Sequence, residues 1–432
     1  MLYSQGSLAE RLDNLGDTMR PPSDDATDTL PAAEKASHEP SPGRHKRQRR
    51  RILAALAIGV LAIAIGVLVS WHFASEVLVP ERFGSKPGTT VERLPPGQVV
   101  LSRSEATQRP GIYGLDWQTG HAVVGEVLGS KADTVTRRLC VADGYMVAGM
   151  KVTLDPDVYV GNPTQALGLP YSSVLYPDEL GPMPAWFIPG HSGTWAIVVH
   201  GINGNLEGDL RMAASLHRDG LPALLIGYRE DLGAPASPDG LHHMGLTEWR
   251  DLAAAASYAL AHGAQRLILV GASMGGAIVA QFMERSPLAT HVAGIVLDAP
   301  ALSWKAILAF NAKEMGLPSF LALPVEWAIG ARIDADWNSL DALQHPSAFH
   351  VPILLFHGTQ DKIVPIATSE QFAKELPGWV TFYRVANAGH TEAWNVDPAL
   401  FQHRLTAFLS RTAGARETAA PSMGPCGAAD AP

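Results

Sequence analysis

Three side chains in this 432-residue sequence have the types and surroundings of an acyl-transfer centre. Ser273 stands in "LILVGASMGGAIVAQFM", residues 267 to 283, between Gly271 and Gly275 and with Gly276 close behind. Four apolar residues precede that turn and a helix-like run follows it. A serine at the apex of a sharp strand-to-helix turn is held in strained backbone geometry, its hydroxyl lifted above the sheet, and its neighbours two positions away must be almost without side chains. A serine hydroxyl is a weak nucleophile at neutral pH and needs a base and a group that orients the base. Asp361 in "PILLFHGTQDKIVP" supplies a carboxylate in the loop after a buried strand, and His390 in "TFYRVANAGHTEAW" supplies an imidazole after another. The chain order is Ser273, Asp361, His390, with separations of 361 − 273 = 88 and 390 − 361 = 29 residues. Asp298 in "VLDAP" also ends a strand-like run and is the competing acid.

Acyl transfer develops negative charge on a carbonyl oxygen, and two preorganised backbone N–H groups stabilise it, each worth about 3 to 4 kcal/mol. Met274, next to the serine, offers one. "VVHGINGN", residues 198 to 205, offers the other, with Ile202 the first choice and Asn203 the second. His200 in that loop reads as a brace for the turn. His242 and His243 lack further ligands at metal-binding spacing and read as surface residues, and His390 with Glu392 makes no metal site by itself. No cofactor and no metal is implied.

These residues need a sheet to carry them. From about Tyr171 strands alternate with helices: "AWFIP", "TWAIVVHG", "PALLIGY", "RLILVG", "VAGIVLDAP" and "VPILLFHG" are continuous apolar runs, as expected of parallel strands covered on both faces. "LEGDLRMAASLHRDG" reads as a helix closed by Gly220, and "GLTEWRDLAAAASYALAHG" as one capped by Thr247 and ended at Gly263. The fold class is α/β, a doubly wound and mostly parallel sheet over 169–412. Residues 303–330, with Trp304, Phe310, Phe320 and Trp327, form a helical cap insertion suited to an apolar or acyl substrate.

Upstream, "ILAALAIGVLAIAIGVLVS", residues 52 to 70, holds no charge over 19 residues. At 1.5 Å per residue that is about 28 Å of helix, close to the hydrocarbon thickness of a bilayer. A transmembrane signal-anchor is expected over 51–73. Six Lys/Arg lie between Arg44 and Arg51, against Arg82 and Lys86 on the far side, which places the N-terminus in the cytoplasm and the rest of the chain outside. Residues 1–50 and 413–432, poor in aromatics and rich in Ala, Pro, Ser or Gly, read as disordered tails. Residues 74–168, with "HAVVGEVLG", "TVTRRLCVADGYMVAGMKVTL" and "DVYV", read as a small β-rich region, with a spacer as the first reading and a lid or a docking surface as the alternatives. Cys140 and Cys426 are the only cysteines, and Cys140 reads as a buried thiol. A net charge of −9 and no basic surface cluster beyond the membrane flank exclude a general nucleic-acid binder.

Taken together, "VVHGINGN", "YREDLGAPASPDGLHHMGLTEWRDLAAAASYAL", "GASMGG", "HGTQDKIVP" and "AGH" resemble the α/β-hydrolase superfamily, in particular bacterial membrane-anchored serine hydrolases of the esterase, lysophospholipase and prolyl-oligopeptidase-like kind. The resemblance covers about residues 157 to 411. It implies Ser273 as nucleophile, His390 as general base and then acid, Asp361 as the group that orients His390, and Ile202 and Met274 as oxyanion donors. The expected partners are a small-molecule or lipid ester as substrate and the membrane through one helix. An acyltransferase, a peptidase and a non-catalytic binding protein of the same fold are the alternatives. Oligomeric state is not legible.

Overall fold

The computed structural model describes residues 42–81, 88–208, 210–414 and 426. Two compact units divide the chain between Leu61 and Ala62. Among the described residues the first unit is helical, the start of a helix that runs over Pro42–Leu78. Its segment Lys46–Leu78, whose most apolar 18-residue stretch has a mean hydropathy of 3.0, is long and apolar enough to cross a membrane. The helix extends past the expected end at 73, because "WHFASEVL" contains no breaker and its last apolar side chains find a packing surface. Ala74 and Leu78 are fully buried in the core of the second unit, and the Arg332 guanidinium lies 5.0 Å from the Trp71 ring and 2.7 Å from Ser75 Oγ.

The second unit contains a closed six-stranded barrel and an eight-stranded sheet. The barrel strands are β1 (Thr89–Arg93), β2 (Gln98–Ser102), β3 (Tyr113–Trp117), β4 (Gly120–Ser130), β5 (Thr134–Asp143) and β6 (Lys151–Asp155), paired in the order β1-β2-β5-β4-β3-β6 with β6 returning to β1. Alternate residues point inward, among them Val99 and Leu101 of β2, Tyr113 and Leu115 of β3 and Ala122 and Val124 of β4, the period of two that a strand dictates. Closure removes the sheet edges that so small a module would otherwise leave open. "DVYV", expected as a strand, lies after β6 and outside any strand, its Val158 buried beside the sheet instead.

The large sheet has strands β7 (Ser172–Asp178), β8 (Gly181–Ile188), β9 (Thr194–Val199), β10 (Ala223–Ile226), β11 (Arg266–Ala272), β12 (Val292–Asp298), β13 (Ile353–Gly358) and β14 (Val380–Val385), in the order β14-β13-β12-β11-β9-β10-β8-β7. From β14 to β10 all neighbours are parallel; β8 runs antiparallel to β10 and β7 antiparallel to β8. Every residue of β9, β10 and β13 is buried, which is why these strands are unbroken apolar runs rather than alternating ones.

The helix Trp249–Ala261 starts without the expected Thr247 cap. Glu248 accepts the N–H groups of His243 at 2.6 Å, Gly245 at 2.9 Å and Thr247 at 3.3 Å, so a buried carboxylate ties down the loop that leads into the helix, and the first turn has no side-chain cap. Cys140 is not a free thiol: it is disulfide-bonded to Cys426. No spacing rule connects residues 286 apart in sequence. The remaining tail residues in 1–41 and 415–432 lie outside the described part.

Candidate active site

Ser273 joins β11 to the helix Met274–Arg285 with φ 53° and ψ −118°. A non-glycine residue there carries strain of about 1–3 kcal/mol and persists only when its surroundings fix it. They do. The Ser273 N–H donates to Asp298 O at 3.0 Å, and its carbonyl accepts from Gly276 N at 3.0 Å and Ala301 N at 2.9 Å. A Cβ on Gly275 would lie 2.0 Å from Val199 O, one on Gly271 2.6 Å from Gly275 O, and one on Gly276 2.4 Å from Pro300 Cβ. The glycines are what let the turn pack against β9 and the β12 loop.

Asp361 and His390 arrive on the loops after β13 and β14, at the carboxyl ends of the strands, where open α/β sheets place their ligands. His390 Nδ1 is 2.8 Å from Asp361 Oδ2, and His390 Nε2 is 2.8 Å from Ser273 Oγ. An ionised Asp361 only accepts, so Nδ1 carries the hydrogen and Nε2 presents its lone pair to the serine hydroxyl. Asp361 Oδ1 accepts the N–H groups of Ile363 at 2.8 Å and Val364 at 2.9 Å. Burial acts to raise the Asp361 carboxyl, but hydrogen bonds from His357 and His390 outweigh it and hold the group well below the usual carboxylate range.

Asp298, the competing acid, does not reach the imidazole by any hydrogen bond among the described residues. It contributes its backbone carbonyl to Ser273. Its Oδ1 is buried without a partner and burial pushes its carboxyl up to about 6.

Met274 is the first residue of its helix, and a first-turn N–H has no intrahelical acceptor. Gly201 brings the other turn alongside: a Cβ there would sit 3.1 Å from Ser273 Cβ and 3.6 Å from its Oγ. Ile202 follows in that turn, its side chain packed against the main core. Asn203, the second choice, has φ 56° and a side chain already engaged, Oδ1 accepting from Glu81 N at 2.9 Å and His242 Nε2 at 3.1 Å. His242 is therefore no surface residue. It is buried against the turn, where burial lowers its pKa. His243 is half-buried and pairs with Asp239 at 3.3 Å. His200 braces the turn from below, with Nδ1 2.8 Å from Gly201 O, Nε2 2.9 Å from Asp231 Oδ2 and its ring stacked on Tyr228 at 4.5 Å. A cavity of about 550 Å³ opens beside Asn203 and Gly204, with Glu81, Asp155, Glu230 and Asp231 in its walls.

Two supporting residues escaped the sequence reading. His357 in "LLFHGTQD" is fully buried with Nε2 3.2 Å from Asp361 Oδ2; its position four residues before the acid was the available signal. Glu392 accepts the N–H of Gly389 at 2.8 Å and pairs with Arg109 of the barrel region, a contact across 283 residues that no local pattern announces.

Comparison with known proteins agrees with this geometry at the level of fold. Residues 237–416 match the prolyl oligopeptidase family, and residues 90–155 match a domain of unknown function (DUF8805). An uncharacterized protein of Mycobacterium tuberculosis, found in strains CDC 1551 and H37Rv, is 26% identical over 235 residues, covering 53% of this chain and 75% of the relative. The Pyrococcus furiosus esterase Pf2001 superposes with a TM-score of 0.50 at 20% identity, over 59% of this chain and 96% of the esterase. The strand order and the strained turn at Ser273 give the chain an α/β-hydrolase fold, in agreement with the match over residues 237–416.

Proposed function

We propose that this protein is a membrane-anchored serine hydrolase that cleaves carboxylic esters, lipid or acyl esters among them, through a covalent acyl-enzyme. The observation that carries the reading is the unbroken relay Ser273 Oγ, His390 Nε2, His390 Nδ1, Asp361 Oδ2, with both hydrogen bonds at 2.8 Å. Ser273 attacks the carbonyl carbon as His390 Nε2 takes its proton, and Asp361 stabilises the imidazolium. The Met274 and Ile202 N–H groups receive the oxyanion. His390 then protonates the departing alcohol, and water, activated by the same imidazole, releases the acid.

The apolar cap supports a lipid or acyl ester. Its helices span Trp304–Glu314 and Ala322–Ile333. Phe320, Leu323 and Trp327 are each more than 60% exposed, a grouping uncommon on a soluble surface. Arg332, which touches Trp71 and Ser75 of the long apolar helix, lies on the second of these helices. A span with its N-terminus in the cytoplasm puts the catalytic unit on the outer face, and the Cys140–Cys426 disulfide suits that oxidising side.

A peptidase reading is favoured by the prolyl oligopeptidase match over residues 237–416. The same site serves either leaving group. The test is a fluorophosphonate probe on the full-length protein with paired p-nitrophenyl ester and p-nitroanilide substrates of graded acyl length. The ester reading expects labelling of wild type alone, ester turnover rising with chain length, and a loss of about a thousandfold or more in Ser273→Ala. Equal labelling of Ser273→Ala overturns the nucleophile, and anilide turnover exceeding ester turnover replaces the esterase with a peptidase.

A further inference from the structure

The barrel strands read as a spacer. Their buried charge says otherwise. Arg137 of β5 is fully buried. Its Nε donates to Gly125 O at 2.9 Å, Nη1 to Thr107 O at 3.1 Å and Arg109 O at 2.7 Å, and Nη2 to Gly111 O at 2.7 Å, while its guanidinium lies 5.2 Å from the Tyr113 ring. Three of those four acceptors belong to the connection between β2 and β3. A buried guanidinium with four of its five N–H donors engaged fixes that connection as firmly as a strand would.

The connection in turn grips the loop that holds His390. Arg109 Nη1 pairs with Glu392 Oε1, and the Tyr113 hydroxyl donates to Glu392 Oε2 at 3.1 Å. Glu392 is 2% exposed, and the same Oε2 accepts the N–H of Gly389, the residue before His390, at 2.8 Å. Ile112 N donates to Asn395 O at 2.9 Å, and Asn395 Nδ2 donates back to Ile112 O at 2.7 Å. Gly111 has φ 105°, and a Cβ there would meet Asn395 O at 2.1 Å, so the two backbones touch. The gripped loop needs outside support: Asn387 and Thr391 both have positive φ, at 63° and 54°, conformations that non-glycine residues hold only under constraint.

We propose that the barrel is a positioning module for the catalytic histidine, with Arg109, Tyr113 and Glu392 as positioning residues that hold the 387–395 loop so that His390 bridges Ser273 and Asp361. This rests on the acyl-transfer reading of those three residues. Arg137 acts one step further back by fixing the backbone from which Arg109 and Tyr113 project. The chemical work of residues 90–155 is then exerted through hydrogen bonds on Gly389 and Asn395, and none of it needs contact with substrate.

The experiment compares full-length wild type with Arg109→Met, Arg109→Lys and Tyr113→Phe. Active sites are titrated to completion with a fluorophosphonate, and turnover of p-nitrophenyl butyrate is expressed per labelled site, beside the thermal midpoint. A displacement of about 1 Å in a catalytic group costs up to about a hundredfold. The expectation is a 10- to 100-fold loss of kcat per site in Arg109→Met, a loss of about 2- to 5-fold in Tyr113→Phe, KM within about twofold, and partial recovery in Arg109→Lys. A merely structural barrel lowers the midpoint and the number of titratable sites and leaves kcat per site at the wild-type value; that result in Tyr113→Phe overturns the proposal even if Arg109→Met does not fold. A wild type that neither labels nor turns over the ester overturns the acyl-transfer reading beneath it.

Discussion

The barrel and the large sheet handle buried polarity in opposite ways. In the sheet, reactive groups are displayed at strand ends by local sterics: Gly271, Gly275 and Gly276 admit the neighbouring backbones, and Ser273 is pushed into a strained conformation with its hydroxyl exposed to His390. In the barrel, one buried guanidinium reaches four carbonyl oxygens on two segments, β4 and the β2–β3 connection, and nothing is strained to display it. Burial lowers the Arg137 pKa to about 10, which still leaves it charged at neutral pH. The difference teaches that the sheet makes reactivity from short-range sequence, whereas the barrel makes rigidity from long-range contacts.

The sharpest way to break that comparison is at the two acids of the sheet. Asp361 has its four hydrogen-bond and charge partners in place and a lowered pKa; Asp298 has a bare Oδ1 and a raised one. Asp361→Asn is expected to lower kcat by about ten-thousandfold, since the imidazole loses its tautomer and its counter-charge. Asp298→Asn is expected to stay within about tenfold of wild type, because only its backbone carbonyl serves Ser273. Steady-state turnover of one ester by both variants decides between them, and equal losses would show that display at a strand end does not by itself select the acid.

This division also explains what was legible in the sequence. Ser273, Asp361 and His390 stood out because each follows an apolar strand and sits in a loop with its own glycine or proline signals. Their mutual hydrogen bonds follow from the fold once the strand order is fixed. The β-rich character of residues 89–155 was visible in valine and threonine content, yet closure was not: it depends on β6 pairing with both β1 and β3, and no residue type encodes that. Arg137 reads as an ordinary charged residue in "TVTRRLC", indistinguishable from Arg138 beside it, which pairs with Glu126 on the surface. The Cys140–Cys426 bond and the His242–Asn203 contact failed for the same reason, being decided by packing between distant segments.

That disulfide is the next point of leverage, since it ties β5 of the barrel to the C-terminal region. If the catalytic unit lies on the oxidising face of the membrane, cells quenched in an alkylating agent and then denatured should yield both cysteines unmodified until a reductant is added; prompt alkylation without reductant would refute the outward orientation. In the purified protein, Cys140→Ser with Cys426→Ser is expected to cost about 3 kcal/mol of stability through the freed chain. Turnover per titrated site should not change, because neither cysteine contacts the Arg109–Glu392 grip. A drop in per-site turnover would mean that barrel rigidity depends on the crosslink rather than on Arg137.

The smallest effect tests the converse, that the helix behind Ser273 leaves a buried charge unsatisfied where the barrel does not. Glu284, in the last turn of Met274–Arg285, has Oε1 buried without a partner among the described residues, and Oε2 accepts from Gln281 Nε2 at 3.3 Å. Burial raises its pKa to about 7 from the ordinary 4.5. The sign follows from linkage: between those two values the folded chain holds a proton that the unfolded chain has released, so stability falls as pH rises from about 4.5 to 7 and stays lowered above. Glu284→Gln removes that proton exchange while keeping the amide's hydrogen-bonding reach to Gln281. Its thermal midpoint should match wild type near pH 5 and exceed it by about 1–2 °C at pH 8. A variant less stable than wild type at pH 8 would mean that the Glu284 carboxylate is satisfied in the folded protein after all, and that the sheet unit treats its buried charges as the barrel treats Arg137.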